Sequence, residues 1–183
     1  PLLEELAEHF PPGVVNVISG EGQEVVTPMI RSGKVDVLAF IGSSKVAGII
    51  EKQHPEPYRL TTILGMDAKN PAVVLADADL DEAVSACLKG SLSFNGQRCT
   101  ALKLLFVHRS LADAFVERFA AAADALPAGM PWDEGVEVTP LPEEDKGAWL
   151  QELVDDACAK GAEVVNARGG EQVGTLYFPA VLY

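Results

Sequence analysis

One cysteine is distinguished by its surroundings. Cys99 lies in Ser-Leu-Ser-Phe-Asn-Gly-Gln-Arg-Cys-Thr-Ala-Leu-Lys, residues 91–103. A cysteine is more often a small buried hydrophobe than a nucleophile. Here, however, Arg98 stands beside it as a cation able to favour a thiolate, and Asn95-Gly96-Gln97 describes an exposed turn rather than a helix interior. A thiolate so placed is a candidate nucleophile. Cys87 and Cys158 lack such neighbours and fall on helical patterns, so both read as core packing.

A second candidate is Gly42-Ser43-Ser44, which follows the apolar run 35–41. N–H groups and hydroxyls at the start of a helix could hold a dinucleotide phosphate there, although an ordinary strand-to-helix turn has the same wording. Gly20-Glu21-Gly22 resembles a dinucleotide fingerprint only loosely, and Glu21 would repel a phosphate. Lys69-Asn70-Pro71 and Asp77-Ala78-Asp79 read as a loop, a strand approach and a helix cap. Lys103 and Arg109 read as surface charges. His9, His54 and His108 are scattered and suit solvent-exposed or structural roles. No metal site is expected, since neither they nor the cysteines have ligand spacing.

These groups need a scaffold, and 183 residues, nearly half of them hydrophobic, suffice for a real core. A net charge of −13 disfavours nucleic acid and anionic membrane as partners. No apolar run approaches a membrane span. Three cysteines leave one over from any disulfide, which favours a reducing, cytoplasmic setting. The opening in helical register without methionine, and the strand-like final residues, lead us to expect an internal fragment with little turnover of its own.

The pattern predicts helices over 2–10, 24–32, 45–53, 80–90, 111–126 and 146–160, with Gly161 ending the last. Asp77 or Asp79 is expected to cap the fourth and Ser110 the fifth. Val14–Ile18 and residues 35–41 read as buried parallel strands because they are nearly unbroken apolar runs. Further extended segments are expected at 58–64, 72–75, 102–107, 163–165 and 175–182, with a glycine-rich hairpin or loop at 166–174. The alternation of strand, glycine turn and helix is that of an open parallel α/β sheet. A domain boundary is expected between 58 and 70.

Four segments in order, Pro-Pro-Gly-Val-Val-Asn-Val-Ile-Ser-Gly-Glu-Gly, Val-Asp-Val-Leu-Ala-Phe-Ile-Gly-Ser-Ser, Ala-Lys-Asn-Pro-Ala-Val-Val-Leu-Ala-Asp-Ala-Asp-Leu-Asp and Phe-Asn-Gly-Gln-Arg-Cys-Thr-Ala, resemble the aldehyde dehydrogenase superfamily. The Gly-Gln-Arg-Cys-Thr-Ala wording is similar to its branch of non-phosphorylating, NADP-dependent glyceraldehyde-3-phosphate dehydrogenases. The resemblance implies the end of a Rossmann-like NAD(P)-binding domain over 1–66 and the first part of an α/β catalytic domain over 67–183. It implies a homo-oligomer acting on a small-molecule aldehyde, with NADP or NAD as cofactor.

Carried onto these positions, Cys99 is the nucleophile, and its backbone N–H helps hold the oxyanion. Phe40, Gly42, Ser43 and Gly65 lie at the cofactor, and Arg98 and Thr100 at the substrate. Asn16 matches the family's Val-Asn position. Ala47 replaces a usual second glycine, with Gly48 one step late. The family's general-base glutamate stands 34 positions before the cysteine, and Gly65 occupies that place. Three readings then compete: Asp67 as a relocated base, release of the acyl group to a thiol such as coenzyme A, or impaired hydrolysis. A dehydrogenase-like structural or interaction module is the non-enzymatic alternative.

Overall fold

The strands that flank the candidate residues pair in parallel, as the apolar runs and glycine turns require. We describe residues 2–183 in a computed structural model. The chain divides into two compact units, Pro1–Asp67 and Ala68–Tyr183.

In the first unit, helix α1 spans Leu2–His9 and α2 spans Gly22–Arg31, with Pro28 inside it. Strand β1, Val37–Gly42, leads through Ser43 into α3, Ser44–Gln53. A short 3-10 turn, Pro57–Arg59, precedes β2, Thr61–Met66. β1 and β2 run parallel in unbroken register from Val37 opposite Thr61 to Gly42 opposite Met66. Ile30 from α2 and Ala47 and Ile50 from α3 are buried. His54, also buried, lies with Nε2 3.1 Å from the Val35 carbonyl and accepts the Glu56 N–H at Nδ1. Those partners place its proton on Nε2, which makes His54 a structural residue.

Two expectations for this unit are corrected. Residues 14–18 form no strand, and Val14, Val15, Val17 and Ile18 are exposed. An apolar run becomes a strand only when a ladder partner satisfies its backbone, and none lies beside it among the described residues. β1 is also half-covered rather than buried: Val37 and Ile41 are exposed, because the described sheet has only two strands.

The second unit begins with β3, Asn70–Val74, followed by α4, Leu80–Leu92, and later β4, Leu102–Val107. Asp79 is the α4 cap, its carboxylate accepting the Glu82 N–H at 2.9 Å. β3 and β4 pair in parallel, but the register advances from Leu102 to Leu104 while β3 advances from Asn70 to Pro71. Proline has no N–H to give to a ladder, and a bulge is how a strand accommodates it. Val74, Val84 and Cys87 join Phe115 and Phe119 of α5, Ala112–Asp124, in the core of this unit. The two phenyl rings stack at 5.6 Å.

Helix α6 spans Lys146–Ala159 and is followed by Gly161 at φ +102°. The predicted segments 163–165 and 175–182 reduce to a Val164–Leu182 bridge and to β6, Leu176–Tyr177, which pairs antiparallel with β5, Gln172–Val173. Two further expectations fail here. Ser110 does not cap α5; its hydroxyl pairs with His108 Nδ1 and the cap position falls on Leu111. Cys158 is exposed rather than packed in the core, because it lies on the solvent side of α6 with Asp155, Asp156 and Ala159. No helix among the described residues is long and apolar enough to cross a membrane.

Candidate active site

Cys99 reaches its position through a strained loop. α4 ends at Leu92, and Phe94, Asn95 and Gly96 then adopt three successive left-handed conformations, with φ of 56°, 56° and 66°. Each non-glycine residue so held costs on the order of 1 kcal/mol or more and persists only where its surroundings fix it. Asn95 is fixed by a reciprocal pair with Thr139: its amide donates to the Thr139 carbonyl and Oγ1, both at 2.9 Å, and its carbonyl accepts the Thr139 N–H at 2.9 Å. Gly96 can only be glycine, because a Cβ there would lie 2.7 Å from the Ser91 carbonyl oxygen.

Past this loop the chain makes a tight turn, closed by the Ala101 N–H donating to the Arg98 carbonyl at 3.1 Å. Cys99 and Thr100 are its two central residues and both are exposed. The N–H of the first central residue in such a turn points away from the closing bond. Among the described residues the Cys99 N–H has no intramolecular acceptor. It is therefore free to meet an oxyanion formed at the cysteine.

Arg98 turns back on its own loop. It donates to Ser93 Oγ at 2.5 Å and lies 5.3 Å from the centre of the Phe94 ring. Its buried Nε has no partner among the described residues. Lys103 donates from Nζ to the Gly96 carbonyl at 2.9 Å. Partial burial, and then the charges of Lys69 and Arg98, hold its ammonium below the usual lysine value. Three cations thus gather around the cysteine loop of a strongly acidic chain. An open cleft of about 700 Å³ in the same unit is bounded by Lys69, Asn95, Gly96, Gln97 and Lys103, but Cys99 is not in its wall.

The second candidate turn belongs to the first unit. The Phe40 ring lies over the Cα of Gly42, where a Cβ would approach it to 2.5 Å, which explains the glycine. Ser43 caps α3, its hydroxyl accepting the Val46 N–H at 3.3 Å. The Asp67 carboxylate accepts the next free donor, the Ser44 N–H, at 2.8 Å, and the Asp67 N–H donates to the Gly42 carbonyl at 3.2 Å. The N-terminus of α3 thus already holds a carboxylate oxyanion, as helix dipole and free N–H groups together favour. Ala47 is buried, whereas Gly48 has open space beside its Cα.

Gly65 is exposed on β2, opposite Ile41. Its backbone is not left-handed, and a Cβ would make ordinary contacts at 3.4 Å to Ile41 Cγ1 and 3.8 Å to the Phe40 carbonyl oxygen. Nothing local demands glycine there.

The sequence model of the aldehyde dehydrogenase family matches residues 2–183. The chain belongs to the aldehyde dehydrogenase family. A lactaldehyde dehydrogenase from Methanocaldococcus jannaschii is 35% identical over 174 residues, which are 95% of this chain and 36% of that one. An NADP-dependent glyceraldehyde-3-phosphate dehydrogenase from Apium graveolens is 34% identical over 173 residues, 94% of this chain and 34% of that one. This chain therefore spans about a third of the length of these relatives.

Among solved structures, a glyceraldehyde-3-phosphate dehydrogenase from Methanocaldococcus jannaschii, complexed with NADP, superposes with a TM-score of 0.90 at 33% identity. It covers 99% of this chain and 39% of its own. A betaine aldehyde dehydrogenase from Staphylococcus aureus, in complex with NAD+, gives 0.89 at 28% identity, covering 99% and 36%. The α/β class and the aldehyde dehydrogenase-like fold are thereby established for this chain.

Asn70, Asp67 and Lys103 had no structural partner in the sequence reading. Asn-Pro at a strand entrance was a signal for Asn70, since a residue before proline is held extended and asparagine bonds nearby backbone.

Proposed function

We propose that the polypeptide carrying these residues oxidises an aldehyde through Cys99, with NADP or NAD as hydride acceptor. The observation that carries this reading is the Cys99 turn: an exposed sulfur and an unengaged N–H on one residue, in a chain of this family. The thiolate attacks the aldehyde carbon, forming a C–S bond while the carbonyl electron pair moves to oxygen, where the Cys99 N–H receives it. A bound dinucleotide would supply the acceptor for the hydride lost from that carbon, so that the acyl group would remain on the Cys99 sulfur as a thioester.

Residues 1–66 would supply the cofactor side and 67–183 the thiol. The turn of Phe40, Gly42 and Ser43, with Gly65 nearby on β2, fits a dinucleotide phosphate, because the α3 N-terminus already binds a carboxylate oxygen. Thr100 beside the sulfur is offered as a substrate contact, and Arg98 would have to leave Ser93 Oγ and the Phe94 ring to join it. Glyceraldehyde 3-phosphate is the first substrate to test, since the cations Lys69, Arg98 and Lys103 around the loop suit an anionic aldehyde.

Release of the acyl group is the step for which Gly65 has consequences. Glycine offers no base, and the Asp67 carboxylate is engaged with the Ser44 N–H. Both features favour transfer of the acyl group to a thiol such as coenzyme A over hydrolysis by Asp67. NADP+ and NAD+ reduction should be followed with glyceraldehyde 3-phosphate and with simple aldehydes, with and without coenzyme A. Acyl-coenzyme A as the main product supports the reading. Free acid formed at the same rate without a thiol rules out obligatory transfer, and no cofactor reduction with any aldehyde favours the non-enzymatic module.

A further inference from the structure

The two peptide planes that flank Cys99 are both tied down, by different bonds. The plane before it, containing the Arg98 carbonyl and the Cys99 N–H, is held by the Ala101 N–H at 3.1 Å. The plane after it, containing the Cys99 carbonyl, is held by one side chain: Asn70 Nδ2 donates to the Cys99 carbonyl at 2.6 Å and to the Ala101 carbonyl at 3.2 Å. Both acceptors are carbonyl oxygens, so chemistry fixes the amide nitrogen as the atom facing them.

We infer that Asn70 is a positioning residue for the Cys99 nucleophile, setting the direction of its sulfur and of its free N–H by clamping the carbonyls on either side of Thr100. This inference rests on the reading of Cys99 as the reactive thiol.

The strand geometry explains how Asn70 reaches both acceptors. It is the first residue of β3 and precedes Pro71, whose lack of an N–H coincides with the register skip across Leu102 and Leu104. The pairing of Asn70 with Leu102 at the start of the ladder sets the Ala101 carbonyl beside Asn70, within reach of its side-chain amide. The residue skipped on β4 is Lys103, and its ammonium turns onto the Gly96 carbonyl on the other side of the cysteine loop. The start of this ladder therefore brings two donors to the backbone around Cys99. With the planes on both sides of a residue fixed, its φ and ψ are fixed, and so is the direction of its Cα–Cβ bond. Reacting groups lose rate steeply when misplaced by as little as 1 Å.

The three cysteines supply an internal scale for the test. Cys99 and Cys158 are exposed and Cys87 is buried. The 183-residue chain and its Asn70→Ala, Asn70→Asp and Asn70→Ser variants should be alkylated with iodoacetamide, with each site quantified by mass spectrometry. Amide hydrogen exchange at Ala101 should be measured in parallel. Asparagine and aspartate match in size, but aspartate has no N–H to give and would repel both carbonyls.

In the wild type, Cys99 should label faster than Cys158. In the alanine and aspartate variants that advantage should fall about tenfold and Ala101 exchange should rise by a similar factor, with Cys87 still protected. Serine, which keeps one donor, should recover part of both. A wild type in which Cys99 has no advantage overturns the reactive-thiol reading itself. A wild-type advantage that survives in the aspartate variant overturns the role of Asn70 alone. Exposure of Cys87 in all three variants also overturns it, by making Asn70 a residue of general stability.

Discussion

The two candidate turns use their backbone groups in opposite ways. At Gly42–Ser44 two N–H groups at the start of α3 are engaged by side chains, that of Val46 by the Ser43 hydroxyl and that of Ser44 by the Asp67 carboxylate. At Arg98–Ala101 side chains hold the carbonyls, and the Cys99 N–H is left without an intramolecular acceptor. A turn clamped through its carbonyls presents free donors to charge that develops during a reaction, with no internal group to displace. A turn that holds its own carboxylate on one of these donors must release it before a ligand's phosphate can take that donor. The first arrangement suits chemistry and the second suits exchangeable binding.

The largest effect expected to break this contrast is at the sulfur. Cys99→Ser should lower aldehyde-dependent NADP+ reduction by the intact polypeptide by about 10³-fold or more. Activity retained in that variant would remove the turn from the chemistry.

Gly65→Glu comes next. A Cβ at that exposed position makes only ordinary contacts, so the variant should fold. Restoring a carboxylate should speed release of free acid by about 10²-fold if the missing base limits hydrolysis, measured as product formed without coenzyme A.

Gly96→Ala tests whether the loop before the cysteine tolerates any other shape. With a Cβ forced to 2.7 Å from the Ser91 carbonyl oxygen at a left-handed φ, we expect a loss of about 2–3 kcal/mol in urea unfolding, with slower Cys99 labelling.

Asp124 calibrates what a permanently filled set of donors is worth. Burial pushes its carboxyl up, but the N–H groups of Arg168 and Ala167 and the Asn166 amide outweigh this and hold it below the usual aspartate value. A carboxyl with a depressed folded value lends stability that is complete above its unfolded value of 3.8 and is lost as pH falls through the folded one. Asp124→Asn should cost about 1–2 kcal/mol at neutral pH and flatten that acid dependence, read from urea midpoints at several pH values.

The smallest effect is at the other turn. Asp67→Asn removes a charge from the α3 N-terminus, where the proposed function puts the cofactor phosphate, and should tighten NADP binding about threefold to tenfold by titration calorimetry. Unchanged or weaker binding would show that Asp67 and the phosphate do not compete.

How far these features were legible in the sequence follows from the range of the interactions. β1 with α3, and β3 with α4, are legible because an apolar run, a turn and a helical period are local signals. The Gly42–Ser43 turn is legible for the same reason, whereas the part of Ser43 as the α3 cap comes from the structure. Val14–Ile18 misled because its pattern is that of a buried strand, whereas a strand exists only with a partner beside it. Ser110 misled because the neighbouring His108 ring took its hydroxyl.

At the site, Cys99 and the absence of a carboxylate at Gly65 could be read directly. The donors that shape the cysteine turn could not. Asn70 lies 29 residues from Cys99 and Thr139 lies 44 from Asn95, and only the β3–β4 register and the packing of the second unit bring them together. Closeness in sequence to Gly65 makes Asp67 a candidate base, while its contact with Ser44 spans 23 residues.

The central claim is that Cys99 forms an acyl thioester that this protein has no carboxylate at position 65 to hydrolyse. Its most direct test is intact-protein and peptide mass spectrometry after mixing the intact polypeptide with glyceraldehyde 3-phosphate and NADP+, quenched in acid with no thiol present. The account predicts an acyl adduct confined to the peptide bearing Cys99, which disappears when coenzyme A is added. Cofactor reduction without an adduct at Cys99, or an adduct carried equally by Cys158, would contradict it.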